Sequence, residues 1–293
     1  MIPERLLELW TAHRDALAAP VRSFSFPHFD MTFEDAPYQM GVINLSRDSS
    51  YRESICHTPD MARYRARRMT VEGAAMIDVG AESTGDDTDL VDVTRQIDTL
   101  RPVIDVLVAD NMMVSIETYH AEVAAAALDA GAAVINLTGR IDDPAFYENI
   151  ARHEAGLVMC YTPGENARST DALPSPDKLV DDQLEFFAER VALATGGGVE
   201  RLWLDPGFGF ALGLRDGPER VRYQTESMFQ AFRLRELGWP VCVTLASSVY
   251  LFRDEVRAAE TSSATLALLS KANLIRSHEV ARVQPVLDML TML

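Results

Sequence analysis

The sequence is poor in cysteine, lysine and long apolar runs, and each shortage excludes a class of protein. Its three cysteines, Cys56, Cys160 and Cys242, lie far apart with no CxxC pair. This is typical of reduced thiols in a cytoplasmic protein and argues against a disulfide framework or a zinc site. No run approaches the roughly 20 apolar residues of a membrane span. The first residues lack a basic segment followed by an apolar one, so we expect no signal peptide.

Basic residues are scarce, and nearly all of them are arginine. The net charge is −17, the pI is near 4.7, and the lysines are Lys178 and Lys271 alone. A negative field of this size repels nucleic acid and anionic lipid surfaces, so we expect neither as a partner. A few arginines at a site can still attract an anionic small molecule. HExxH, GxSxG and P-loop patterns are all missing, which argues against a tightly bound zinc, a serine hydrolase and a P-loop nucleotide site.

What the 293 residues do contain is a regular alternation of short apolar runs with helical stretches. The strand candidates are residues 39–44, 75–80, 113–118, 133–138, 156–161, 201–205, 241–246 and 273–277. The helical stretches are residues 59–73, 91–109, 120–130, 144–153, 176–195, 219–237, 262–270 and 279–291. Eight such repeats predict an α/β fold, a closed (β/α)8 TIM barrel. A doubly wound sheet is the alternative, which the missing GxGxxG fingerprint disfavours.

A separate pattern precedes the barrel. Residues 4–18 carry apolar positions at helical spacing, and residues 22–37 alternate apolar and polar side chains around several phenylalanines. We therefore predict two regions, an N-terminal helix and hairpin over 1–37 and the barrel over 38–293. The hairpin is placed to close the bottom of the barrel.

Six of the apolar runs end in a polar residue that a strand does not need. The residues at or just after these ends are Asn44, Glu82, Glu117, Asn136, Asp205, Arg276 and His278. The carboxyl ends of parallel barrel strands converge on one mouth, where active sites lie, so these side chains predict a small-molecule site. The structural alternatives are turn-forming Asn and Asp residues, and a salt bridge from Arg276 to a neighbouring carboxylate. Asp78, inside a run, is a candidate structural carboxylate facing the barrel interior.

Two of these ends carry the more specific chemistry. Asp205 begins an Asp-Pro-Gly-Phe-Gly-Phe segment, which aims a carboxylate able to accept two parallel hydrogen bonds from an amidine-like edge. Arg276 and His278 lie two apart and therefore on the same side of the last strand, just before a helix. That pair is a candidate phosphate site.

Taken together, these segments resemble the dihydropteroate synthase family of the pterin-binding TIM-barrel superfamily. The matching stretches are residues 40–49, 73–84, 114–119, 131–136, 205–210 and 275–280, in the order and spacing of that family. The resemblance implies condensation of p-aminobenzoate with a hydroxymethyl-dihydropterin diphosphate, in a protein that is usually a homodimer.

The resemblance also implies roles for particular residues. The pterin would contact Glu117, Asn136, Asp205 and Ser248; the diphosphate would contact Asn44, Thr84, Arg276 and His278. Asn44 would also be a ligand of Mg²⁺ if that ion is used. Glu117 and Asp205 are the candidate catalytic residues, as proton relays.

The sequence departs from the family pattern on the side of the second substrate. A Ser-Arg-Lys signature reads Ala246-Ser247-Ser248, and a Ser-Thr-Arg-Pro loop reads Ser83-Thr84-Gly85-Asp86. The strand-three Asp is Glu117, one methylene longer. These changes favour a divergent pterin- or folate-dependent transferase, moving a one-carbon unit or a pterin methylene to an unknown acceptor. The alternatives are a genuine dihydropteroate synthase with an altered p-aminobenzoate site, a catalytically silent pterin-binding paralogue, and an unrelated barrel lyase or aldolase.

Overall fold

The computed structural model describes residues 2–27, 29–34, 36–49, 51–83, 88–168, 174–209, 217–245 and 249–292. The chain begins with helices α1 (Ile2–Ala12) and α2 (Arg14–Ala18). An antiparallel hairpin of β1 (Phe24–Phe26) and β2 (Phe29–Met31) follows. The helix predicted over 4–18 is therefore divided at His13, which lies between α1 and α2.

Eight parallel strands then form the barrel. They are β3 (Tyr38–Asn44), β4 (Ala74–Gly80), β5 (Val114–Thr118), β6 (Val134–Leu137), β7 (Gly156–Cys160), β8 (Arg201–Asp205), β9 (Cys242–Thr244) and β10 (Leu274–Ser277). They pair in the order β8-β7-β6-β5-β4-β3-β10-β9. A parallel bridge between Leu204 and Val241 joins the two ends. The predicted (β/α)8 TIM barrel is confirmed. Its strands are near-continuous apolar runs because both faces of a parallel barrel are buried.

The outer layer consists of the helices that follow the strands. They are α3 (Pro59–Val71), α4 (Val93–Ala109), α5 (Ala121–Asp129), α6 (Pro144–Arg152), α7 (Pro176–Gly196), α8 (Gly217–Gln230), α9 (Val249–Phe252), α10 (Val256–Leu269) and α11 (Val280–Thr291). Within the described ranges, no helix is long and apolar enough to span a membrane.

Two further helical predictions differ from the structure. The stretch predicted over 219–237 is α8 followed by a 3₁₀ segment over residues 231–237, which ends at Gly238 with φ 76°. The helix predicted from residue 262 begins earlier, at Val256. The prediction missed this start because two polar residues, Glu260 and Ser263, are buried on the inner face of α10. Buried polar residues hide the apolar periodicity on which a helix prediction rests.

The N-terminal hairpin closes the bottom of the barrel, as predicted. One buried cluster joins hairpin residues to inward-facing residues near the strand starts: Phe26, Met31, Phe33, Met40, Met76, Val134, Val158, Trp203, Cys242 and Leu274. The Phe26 and Trp203 rings stack with centroids 6.3 Å apart. A separate, larger cluster lies between the strands and the helices. The interior is therefore filled with apolar side chains from below, which leaves the upper end of each strand for polar groups.

Candidate active site at the barrel mouth

A polar layer lies directly above the apolar floor of the barrel. Side chains two positions apart in a strand point to the same face. Each floor residue Met76, Val134, Val158, Trp203, Cys242 and Leu274 is accordingly followed two positions later by Asp78, Asn136, Cys160, Asp205, Thr244 and Arg276. The alternation of the strands thus gathers carboxylate, amide, thiol, hydroxyl and guanidinium groups at one end of the barrel.

The carboxylate of Asp78 is the centre of this layer. Its Oδ2 accepts hydrogen bonds from Arg276 Nε at 2.8 Å and from Asn136 Nδ2 at 3.0 Å. Its Oδ1 accepts one from Ser115 Oγ at 2.6 Å. Asp78 is fully buried, and burying a charge is costly unless it is paired and hydrogen-bonded. The salt bridge considered for Arg276 from the sequence is present, and it orients both the guanidinium and the Asn136 amide.

Asn136 is held from its other side by a thiol. Cys160 Sγ lies 3.6 Å from Asn136 Oδ1 as a donor. Burial, and then the negative charge of Asp205, raise the pKa of Cys160 well above its ordinary value, so the thiol keeps its proton. With Nδ2 donating to Asp78 and Oδ1 accepting from Cys160, the orientation of the amide is fixed.

Glu117 lies one step nearer the opening of the barrel. It is opposite Asn136 in the register of β5 and β6, and its Oε1 accepts from Thr138 Oγ1 at 2.9 Å. Burial raises the pKa of Glu117 to about 7, partly offset by the positive charge of Arg276. A carboxyl group that titrates near neutral pH can both give and take a proton. Its Oε2 also lies 2.8 Å from where a side chain at Gly80 would begin, so glycine leaves room for it.

Asp205 is buried at the end of β8 with both carboxylate oxygens engaged. Oδ1 accepts from the Gly207 backbone N–H at 2.8 Å, as expected for the turn considered from the sequence, and Oδ2 accepts from Thr244 Oγ1 at 3.0 Å. Burial raises the pKa of Asp205, against the lowering effect of these two donors. Burial alone would lower the pKa of Arg276, but the charges of Asp78 and Glu117 outweigh it and hold that pKa above its usual range.

His278 follows the last strand and is held by a different carboxylate. Its Nδ1 lies 2.8 Å from Glu260 Oε1, and its ring stacks on Tyr51 with centroids 4.2 Å apart. His278 also lines a cavity of about 420 Å³ between α3 and the start of α11. Arg65, Arg257 and Glu53 line this cavity too, whereas the Asp78 cluster does not reach it.

Three predicted site residues remain, and of these the structure describes Asn44 alone. Asn44 ends β3 and its Nδ2 donates to Ser54 Oγ, so its Oδ1 is the atom left for a ligand. Thr84 and Ser248 lie outside the described residues. In the part of the chain that is described, no group of three or more His, Cys, Asp or Glu side chains could hold a metal ion.

A second network joins the loops around the mouth, and its arginine was not singled out from the sequence. Arg168, after β7, donates to the backbone oxygens of Ser83 and Thr88 and to Thr88 Oγ1, and lies 3.7 Å from Glu82. Glu82 in turn accepts from Tyr119 OH at 2.8 Å. No local pattern marks Arg168, because its partners are about 80 residues away in the chain. Glu260 was missed for a related reason, since it lies inside a helix rather than at a strand end.

Comparison with known proteins gives consistent matches over most of the chain. A sequence profile of the family described as pterin binding enzyme matches residues 40–283. A dihydropteroate synthase type-2 of Escherichia coli is 32% identical over 247 residues, which cover 82% of this chain and 89% of the relative.

Solved structures of dihydropteroate synthases share the fold. The enzyme of Xanthomonas albilineans, in complex with indole-2-carboxylic acid and 6-chloroguanine, is 29% identical with a TM-score of 0.70, covering 88% of this chain and 93% of that one. The enzyme of Yersinia pestis with a sulfonamide drug complex has a TM-score of 0.77 at 23% identity, covering 92% and 98%. At that lower identity the likeness supports the fold alone.

Proposed function

The chain belongs to the dihydropteroate synthase family of pterin-binding enzymes, and we propose that it is a divergent transferase that uses a pterin or reduced folate. The observation that carries the proposal is that Asn136 and Asp205 lie in the polar layer of the barrel, with Glu117 one step nearer the opening and opposite Asn136. A bicyclic heterocycle with alternating donors and acceptors needs such partners in an enclosed site. The Xanthomonas relative was solved with 6-chloroguanine, a heterocycle of this type.

The proposed pterin contacts use the carboxyl groups in two ways. Asp205, kept in place by Gly207 and Thr244, accepts hydrogen bonds from the amino-pyrimidine edge of the ring. Glu117 is the proton relay, because its pKa of about 7 lets both protonation states exist at neutral pH. Ser248 remains a proposed contact from the sequence alone.

The anionic end of the substrate belongs to the other side of the mouth. Arg276 and His278 supply the donors that a departing diphosphate needs, with Asn44 and Thr84 as further proposed contacts. Mg²⁺ is typically held by one or two carboxylates together with substrate phosphates and waters. Asn44 Oδ1 is a neutral amide oxygen that would be a supplementary ligand of the ion, which would supply charge neutralisation when bound.

The acceptor is the part of the reaction for which the sequence departs most from the family. Residues 246–248 read Ala-Ser-Ser, and residues 83–86 read Ser-Thr-Gly-Asp, without the lysine and arginine of the family pattern. Loss of two cations from a site that develops charge removes several kcal/mol of stabilisation, by order of magnitude. We therefore propose one-carbon or pterin-methylene transfer to an acceptor other than p-aminobenzoate.

A genuine dihydropteroate synthase is the second candidate, and one observation favours it. Arg276, in β10, and His278, directly after it, are both retained, as the resemblance implies for a diphosphate site, and the relatives reported above are dihydropteroate synthases. Binding of a pterin without turnover of any acceptor would instead identify a silent paralogue.

The first experiment is a calorimetric titration with 6-hydroxymethyl-dihydropterin diphosphate and with a reduced folate. We expect saturable binding of at least one of them, weakened at least tenfold by Asp205→Asn, because an amide replaces one acceptor oxygen with an NH₂ donor and cannot accept two parallel hydrogen bonds. Asp129→Asn, an exposed substitution at the end of α5, is the matched control and should leave binding unchanged. Absence of binding to both ligands would overturn the proposal.

The second experiment separates the two candidates by turnover. The genuine synthase would form dihydropteroate from p-aminobenzoate, and Ser248→Lys would raise that rate. The divergent transferase would bind the pterin but form little dihydropteroate, with product formed only when another acceptor is supplied.

The wider setting of the enzyme is part of the same proposal. We propose a cytoplasmic homodimer that acts on small molecules and meets neither nucleic acid nor membrane. The support is the net charge of −17, which disfavours anionic polymers and surfaces.

A further inference from the structure

The imidazole of His278 is more tightly held than a ligand-binding side chain at a strand end needs to be. Its backbone N–H and its Nδ1 both contact the carboxylate of Glu260, at 3.0 and 2.8 Å. One face of the ring is covered by Tyr51, with the two planes inclined by 14°. Both the position and the rotation of the ring are therefore fixed before any ligand arrives.

Glu260 is a carboxylate made to stay ionised in a buried position. Its side chain is fully buried in α10 and accepts from Ser277 Oγ at 2.6 Å and from the Glu279 backbone N–H at 3.1 Å, in addition to His278. Burial would raise the pKa of Glu260, but the hydrogen bonds and charge of His278 outweigh it and lower that pKa. An ionised carboxylate only accepts hydrogen bonds. The ring nitrogen facing it must therefore carry a proton.

Tyr51 is secured in a way that maintains the stacking. Its hydroxyl donates to Glu279 Oε1 at 2.8 Å, and Arg257 pairs with both oxygens of the same carboxylate, at 2.7 and 2.8 Å. Among the described residues, His278 Nε2 has no hydrogen-bond partner. Nε2 is thus the nitrogen that remains for substrate.

We infer that Glu260 is a positioning residue that holds a proton on Nδ1 of His278, so that Nε2 is the ring nitrogen that exchanges a proton with the leaving group. This rests on the proposed function in its pterin-methylene form. The same logic operates wherever a buried carboxylate orients a catalytic imidazole and balances its positive charge.

The bond between the methylene carbon and the diphosphate oxygen breaks, with its electron pair going to that oxygen. The proton on Nε2 of the imidazolium passes to the same oxygen, and His278 becomes neutral with its proton on Nδ1. The nucleophilic nitrogen of the acceptor, an amine, forms the new bond to carbon and releases its own proton to water.

The direct test is the tautomer of His278, read by ¹⁵N NMR of histidine-labelled protein, with His278→Gln to assign its signals. We expect the neutral ring to carry its proton on Nδ1. Glu260→Gln should remove that preference. Glu279→Gln, which alters a neighbouring carboxylate that does not touch the ring, should keep it. A neutral His278 protonated on Nε2 in the unaltered protein would overturn the inference whether or not the Glu260 variant folds.

The kinetic test separates positioning from a merely structural role. With the pterin diphosphate and a working amine acceptor, Glu260→Gln should lower kcat at least tenfold and change the KM for the pterin less than twofold. The double variant with His278→Gln should be no slower than His278→Gln alone, because the two residues act as one unit. Fully additive losses, or an unchanged kcat, would overturn the inference. Failure of pterin binding in the unaltered protein would instead overturn the proposed function and leave the tautomer result standing.

Discussion

At the scale of single residues, the carboxylate of Asp78 determines how the polar layer is arranged. It lies between Arg276, Asn136 and Ser115, each from a different strand, and it is completely buried. Removing one partner of a buried ion pair leaves the other charge uncompensated, which costs more than the pair itself contributes. A substitution at Asp78 should therefore change both the stability of the barrel and the geometry of its site.

Asp78→Asn should lower the free energy of unfolding by about 3 kcal/mol, because buried Arg276 then loses its ion-pair partner and keeps only the charge of Glu117, which forms no ion pair with it. Ser115→Ala removes one hydrogen bond to the same carboxylate and should cost about 1 kcal/mol. Urea denaturation followed by circular dichroism measures both. Equal losses from the two variants would show that the charge of Asp78 contributes nothing beyond its hydrogen bonds.

Glu117 makes the stability of the native state depend on pH. Its native pKa is about 7, against an ordinary value of 4.5, so between these values the folded protein keeps a proton that the unfolded chain releases. The stabilisation of the folded state by this proton is therefore fully present below about pH 4.5 and is lost as the pH rises through 7. Glu117 keeps some exposed surface, so solvent screens part of the free-energy cost of ionising its carboxyl group in the folded protein.

Glu117→Gln should remove this dependence. Relative to the unaltered protein, the variant should gain about 1–2 kcal/mol of stability between pH 5 and pH 8.5, since a pKa unit corresponds to about 1.4 kcal/mol. Urea denaturation at the two pH values gives the difference. A relative stability that stays constant with pH would mean that Glu117 titrates at its ordinary value.

At the scale of secondary-structure elements, the N-terminal hairpin supports the floor beneath the site. Phe24 and Phe26 both contact Trp203, edge-on at 4.6 Å and stacked at 6.3 Å between centroids, and Asp205 lies two residues after that tryptophan. The site is therefore supported from below by a segment that precedes the barrel in sequence. Above it, Arg168 connects the loops after β7 and β4.

Phe26→Ala should lower the free energy of unfolding by about 3–4 kcal/mol, because it leaves a cavity between the hairpin and Trp203. Phe29→Ala, in the same hairpin but 36% exposed, should cost less than about 1 kcal/mol. Thermal and urea unfolding of the pair provide the comparison. Similar costs at the two positions would show that the hairpin is not packed into the barrel.

At the scale of the whole molecule, the barrel is closed less firmly at one seam than elsewhere. Among the described residues, β3 and β4 are paired over six positions, whereas β8 is joined to the segment that leads into β9 by one bridge, between Leu204 and Val241. This seam lies next to Asp205 and Thr244, which are hydrogen-bonded to each other across it. Motion of the seam would therefore alter the proposed pterin contact.

Hydrogen exchange should show this difference directly. The amide of Leu204, bonded to Pro240 across the seam, should exchange roughly tenfold faster than that of Ile77, bonded to Met113 in the continuous sheet, because local opening is easier where fewer bonds must break. Amide exchange followed by NMR measures both. Equal protection would mean that the two sites open only when the whole barrel unfolds.

The barrel and much of its polar layer were predictable from the amino-acid sequence. Strict alternation within the strands places Asn136, Asp205 and Arg276 two positions after apolar floor residues, and that spacing needs no knowledge of the fold. The repeated order of strand and helix then brings these strand ends to one mouth. The departures at residues 83–86 and 246–248 were likewise readable from the sequence.

Which partner each side chain takes depends on tertiary packing and could not be read from the sequence. Glu260 reaches His278 from inside a helix, and Arg168 reaches Ser83 and Thr88 from a loop some 80 residues away. Asp78, ambiguous in the sequence, became the centre of the layer because three strands converge on it. Such contacts depend on how helices pack and where loops run, whereas local patterns report only which face of an element a residue occupies.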